Sequence, residues 1–98
     1  DIVEMIYWFE RATFNGSEDA YANLATLYEN EFRDVLVEME VAANNGNAMA
    51  QFNLGWINAR GLVNSEGLMQ DMDIAKAWFE KSANLGFKDA IEVLEKNF

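Results

Sequence analysis

Apolar and polar positions follow one another in this chain at helical spacing. Between residues 72 and 83, Met72, Ala75, Trp78, Phe79, Ser82 and Ala83 recur at steps of three and four, one face of a helix. Comparable stretches run into Asn15-Gly16, Asn45-Gly46 and Leu85-Gly86. An Asn-Gly pair is also a hairpin signal, but the flanks lack the period-two alternation of strands. A glycine that ends a helix in the left-handed conformation fits instead. Ser17 and Asn47 follow their glycines and are suited to cap the next helix, whereas Phe87 holds that place with no capping oxygen. Asp71 is placed to cap a helix, and Asp73 answers the positive charge of its first turn. No proline interrupts the pattern. These signals predict six helices over about 2–14, 17–29, 34–44, 47–59, 71–84 and 87–97.

The helices come in similar pairs. "WFERATFNGS" at residues 8–17 returns as "WFEKSANLGF" at 78–87. Aligning Gly16, Gly46 and Gly86 places Phe9-Glu10, Met39-Glu40 and Phe79-Glu80 in one register. Ala12, Ala42 and Ser82 also coincide, as do Ala20, Ala50 and Ala90, and Leu24, Leu54 and Leu94. The offsets are 30 and 40 residues, and so many coincidences mark a threefold repeat. The units are about 1–30, 31–60 and 71–98, joined by a loop at 61–70 and forming one domain. A single helix pair cannot bury its apolar face, so pairs of this kind stack. Ala20, Ala50 and Ala90 are expected to face the first helix of their own pair, where a small side chain lets the backbones approach. Ala25 and Gly55 are small where the next pair should stack, but Glu95 holds their place in the last unit, which gives the final helix the polar outer side of a solenoid end.

"NAMAQFNLGW", "GLMQDMDIAKAWFEKSANLGFKDA" and "WFERATFNGSEDAYANLATLY" resemble the Sel-one-like repeat family, α/α solenoids related to tetratricopeptide repeats. The resemblance covers nearly the whole chain and is strongest over residues 46–90. It implies an all-α fold, an α/α solenoid (a right-handed superhelix) of three antiparallel helix pairs. Two departures stand out. The first offset, 30, is shorter than the ~34 of tetratricopeptide units, and residues 29–33 lack a glycine-containing loop. The loop after the second pair is long, with 62–65 reading as an insertion.

Composition narrows the function. The chain has no Cys and no His, which removes thiol nucleophiles, imidazole bases, structural zinc and disulfides together. Ser17, Ser65 and Ser82 have no imidazole to activate them, and no spacing points to paired catalytic acids. No catalytic residue and no cofactor is therefore assigned. Asp71-Met72-Asp73 reads as a helix start rather than a metal pair, and "GLVNSEGLMQD" places Leu62 where a calcium loop needs its first ligand. Hydrophobic residues make up 51%, yet no apolar run reaches the ~18 residues of a membrane span. The net charge of −10 repels phosphate backbones and anionic surfaces, so nucleic acid and membrane are poor partners while basic or apolar protein surfaces are good ones. Trp8, Trp56 and Trp78 share the register of Phe9, Leu54 and Phe79, which assigns them to the core rather than to ligand stacking.

A second stripe, off the core face, is the candidate site. Val3, Ile6, Tyr7 and Phe14 align with Arg33, Leu36, Val37 and Asn44, and with Asp73, Lys76, Ala77 and Asn84. The first helix is thereby apolar nearly all round, the mark of a helix covered on both sides. The expected covers are residues preceding Asp1, a second copy forming a homodimer, or the partner itself. Asp1 aligns with Asp71, which suggests a preceding repeat. Glu10, Glu40 and Glu80 add one acid per unit, expected to face solvent, with Lys76 spaced to pair with Glu80. By the family resemblance, the first helices of each pair line a concave binding surface. The expectation is a non-enzymatic scaffold that binds a basic or amphipathic protein segment on Ile6, Tyr7, Glu10, Leu36, Val37, Glu40, Asp73, Lys76 and Glu80. Two alternatives stay open: an acidic inhibitor or immunity protein for a basic effector, and a purely structural piece of a larger solenoid.

Overall fold

The computed structural model describes residues 1–61 and 70–98. Five helices follow in order: α1 (Ile2–Phe14), α2 (Glu18–Asn44), α3 (Ala48–Arg60), α4 (Met72–Asn84) and α5 (Lys88–Asn97). Residues 62–69, with the expected insertion at 62–65, Ser65 and most of the tested calcium loop, lie outside the described residues. The fold is all-α and of solenoid type, built from helices that turn back on one another.

Three turns have one design. Gly16, Gly46 and Gly86 have φ of 96°, 91° and 87°, the left-handed region where a Cβ is strained. At each, the glycine N–H donates to the carbonyl three residues back. The next N–H reaches back five: Ser17 to Ala12 (3.0 Å), Asn47 to Ala42 (3.0 Å) and Phe87 to Ser82 (3.2 Å). This pair of bonds is the Schellman motif, which satisfies carbonyls left open at a helix end. The residue that closes each motif also opens the next helix. Ser17 Oγ accepts from the Ala20 N–H at 3.2 Å and Asn47 Oδ1 from the Ala50 N–H at 3.0 Å. Phe87 makes no side-chain cap. Its ring instead packs edge-on against Tyr7 and tilted against Phe52, centroids 5.6 and 5.3 Å away.

The expected break at 29–33 is a kink, not a loop. Only Glu31 leaves helical geometry, at φ −133° and ψ 24°, with thirteen helical residues on either side of it. No Gly or Pro stands there to stop the helix, so hydrogen bonding resumes at once. A straight helix of this length would reach ~40 Å, whereas the molecule's longest extent is 32 Å. The kink therefore folds α2 into two arms, 18–30 and 32–44. Ala20, Leu24, Tyr28, Phe32, Val35, Met39 and Ala43 are buried along both arms.

Helix α3 lies at the centre. Residues 50–55 are buried without a break, so no polar face remains, and α3 packs against α1, α2 and α4. Ala50 is fully buried, as the small residue at that register predicts, and so are Ala75 and Ala90. Gly55 explains the closeness of α4: a Cβ there would meet the Phe79 ring at 2.5 Å. Buried polar groups on α3 bond to backbone. Gln51 Nε2 donates to the Ala43 carbonyl at 2.9 Å, and Asn53 Nδ2 donates to the Val3 carbonyl at 2.9 Å. Two cores result. Val3 and Ile6 join α2 and α3 in the first, and Tyr7 joins Phe52, Ala75, Phe79, Ala90 and Val93 in the second.

Candidate functional site

Helix α1 belongs to both cores, and this corrects the expected site. Val3, Ile6 and Tyr7 are only 6%, 0% and 5% exposed, so most of the face expected to need an outside cover is covered by the chain's own helices, and only Phe14 of that face, at 66%, stays open. Glu10 is 1% exposed rather than solvent-facing, which breaks the acidic row with the exposed Glu40 and Glu80. The sequence held a signal for this. Glu10 is at the i+7 position from Val3, on the same stripe as Ile6 and Tyr7, the most apolar face of α1. A carboxylate there is buried with the stripe.

Its partners come from distant parts of the chain. Arg60, at the end of α3, forms an ion pair with Glu10 Oε2, and the Tyr28 hydroxyl donates to Glu10 Oε1 at 2.9 Å. Burial pushes the Glu10 carboxyl above its ordinary range, against the pull of Arg60 and of the Tyr28 hydrogen bond. Burial, reinforced by the Glu10 charge, pushes the Tyr28 phenol well above its own. A second polar contact joins α1 to α5. The Tyr7 hydroxyl donates to Asp89 and accepts from Arg11 Nη1 at 3.2 Å. Burial and the bond to Asp89 raise the Tyr7 phenol. The first contact fastens the packed interior, and the second lies at its edge, where Arg11 is exposed and Asp89 half-buried. No group of three or more Asp or Glu side chains is placed to hold a metal ion among the described residues.

The remaining expected residues lie outside this interior. On the second arm of α2, Leu36 is half-buried, Val37 is 60% exposed and Glu40 is exposed. Asp73, Lys76 and Glu80 are exposed on α4, which packs against α3 and α5. Trp8 also departs from expectation: it is 53% exposed, with the Arg11 guanidinium 5.6 Å from its ring. Trp56 and Trp78 are half-buried against the cores.

Two concave surfaces flank α1. At its start, a groove of about 510 Å³ is lined by Asp1, Ile2, Val3, Val37, Glu38, Val41, Ala42 and Asn47. Val41 on this groove is 57% exposed. Sequence reasoning missed Val41 because it aligned Val37 with Tyr7 and stopped there; the i,i+4 step from Val37 to Val41 was the available signal. At the other end, a cleft of about 190 Å³ opens between α1 and α5 over the α3 side chains Phe52 and Trp56.

Comparison with known proteins agrees with the turn and helix pattern. Residues 48–87, fewer than half of the chain, match the family model of the Sel1 repeat, a span that takes in α3, α4 and the turn that leads into α5. No curated protein and no solved structure matches the chain. A Sel1 repeat implies a protein–protein interaction scaffold.

Proposed function

We propose that this chain is a non-enzymatic scaffold that binds a basic, amphipathic protein segment in the groove between the start of α1 and the second arm of α2. One observation carries the reading: Val37 and Val41 stand 60% and 57% exposed, one turn apart, in a groove whose charged side chains are acids, Asp1 and Glu38. Two exposed valines at i,i+4 spacing offer apolar area to a helix that brings its own apolar stripe. Leu36 and Glu40 stand on the same arm of α2 but do not line the groove. A chain of net charge −10 speeds the approach of a basic partner and discriminates against acidic ones.

The reading keeps Val37 of the expected face and leaves out Leu36 and Glu40, which do not line the groove, and Ile6, Tyr7 and Glu10, whose contacts are already made inside the chain. Asp73, Lys76 and Glu80 form a separate exposed stripe on α4. Burial of Ile6 and Tyr7 takes those two residues out of the face on which a homodimer through α1 was expected, while Phe14 of the same face stays 66% exposed.

Calorimetric titration with a synthetic Leu/Lys amphipathic helix tests the proposal. Binding is expected to weaken as salt rises and to be lost in the double variant Val37→Glu, Val41→Glu, whose helical signal stays intact because both positions are exposed. Equal binding by the wild type and the double variant would overturn it.

A further inference from the structure

The cleft at the far end of α1 differs from the acidic groove in chemistry. Its floor is apolar and aromatic: Phe52, Trp56 and Val93. Phe14 forms one edge, 66% exposed, with its ring 5.3 Å from that of Trp56. A phenylalanine so exposed, resting on another ring beside an open cleft, leaves most of its face without a partner. The walls are polar and of opposite sign. Arg11 and Asn15 stand on the α1 side, and Asp89 and Glu92 on the α5 side. Arg11 acts electrostatically on Glu92 from the opposite wall. Lys96, also on the lining, is hydrogen-bonded to Glu92 at 2.7 Å. The charged groups on the lining thus balance, in a chain whose net charge is −10.

The geometry points to a second docking site in this cleft, for an uncharged, extended, proline-rich segment of a partner protein. Three features select that occupant. Balanced charges give no net attraction to a basic or an acidic peptide. Arg11 and Asp89 already hold the Tyr7 hydroxyl, and Glu92 holds Lys96. A backbone lying along the cleft therefore turns its carbonyls toward the remaining Arg11 N–H groups and the Asn15 amide, and a proline-rich segment brings few N–H groups that need an acceptor. The volume, about 190 Å³, admits one or two side chains and not a helix about 10–12 Å across. Aromatic-lined clefts suit proline rings, and a polyproline segment enters them with little conformational entropy left to lose. The site stands apart from the acidic groove: it sits at the other end of α1, and its occupant carries no charge.

An amide-correlation NMR titration with an acetylated, amidated hexaproline peptide tests the inference. The Trp56 indole N–H and the Asn15 amide are expected to shift saturably, with an affinity that changes by no more than about twofold between low and near-molar salt. Phe14→Ala, at an exposed position, should weaken binding by about tenfold or more. Val37→Glu should change it by no more than about twofold. The absence of a saturable shift at Trp56 would overturn the inference. So would equal affinity in Phe14→Ala, or a salt-sensitive preference for a lysine-bearing peptide at the same resonances. Titrating the Phe14→Ala variant with the Leu/Lys helix separates the two readings, because the acidic groove is expected to bind that probe undiminished.

Discussion

Single positions decide which faces are closed. Ala50 is fully buried, whereas Glu40 is exposed. Ala50→Leu should overpack the centre of the molecule and cost ~1–3 kcal/mol, and Glu40→Gln should stay within ~0.5 kcal/mol. Denaturant midpoints in the reverse order would contradict the assignment of faces. Glu10 makes a pH-dependent prediction. Its folded carboxyl is raised above the ordinary glutamate range, with burial as the largest cause. A raised acid favours the protonated folded form, so its contribution is fully present below the unfolded value and is lost as pH rises through the folded one. Glu10→Gln keeps an acceptor for Tyr28 and does not titrate. Between about pH 4 and about pH 7, the wild type should therefore lose more stability than Glu10→Gln does. Urea midpoints that change in parallel for the two proteins would count against a raised Glu10.

At the scale of elements, the helix ends were legible in sequence and the relations between distant helices were not. Gly16, Ser17, Gly46, Asn47 and Asp71 act through bonds a few residues away, and each does what its chemistry predicts. The expected break between helices at 17–29 and 34–44 is present as a kink at the single residue Glu31. Its surroundings carry ordinary helix formers and no local breaker, and the bend lets residues of both arms enter one core with α1 and α3. Phe87 shows how a local signal yields to a distant contact. Phe87→Ser would restore the missing cap, worth ~1 kcal/mol. It would also remove a ring that packs on Tyr7 and Phe52. A net loss of ~1–3 kcal/mol is expected, and a gain in thermal midpoint would show that α5 lacks only its cap. Helix α1 gives a sharper contrast. Ile6→Glu with Tyr7→Glu places two charges in the cores and should abolish the helical signal, a loss of ~4 kcal/mol or more. A folded double variant would mean that this face is open to solvent.

For the whole molecule, the repeat pattern revealed an all-α solenoid-type chain because each unit reuses one turn and one packing register. It did not reveal that α1 would be closed in by α3 and α5. Contacts such as Asn53 to Val3 and Arg60 to Glu10 join residues 50 positions apart, and no periodicity encodes them. Of the expected face, the exposure of Val37 and Glu40 on α2 was readable because they stand among acids on one side of a helix. The part on α1 was misplaced because an all-round apolar helix signals burial without naming what buries it. The most direct test of the account is an amide-shift map of the protein titrated with the Leu/Lys amphipathic helix. The account predicts shifts clustered at Ile2, Val37, Val41 and Ala42, with the fully buried Ala75 and Ala90 unmoved. Shifts confined to the α4 stripe of Asp73, Lys76 and Glu80, or no saturable shifts at all, would contradict it.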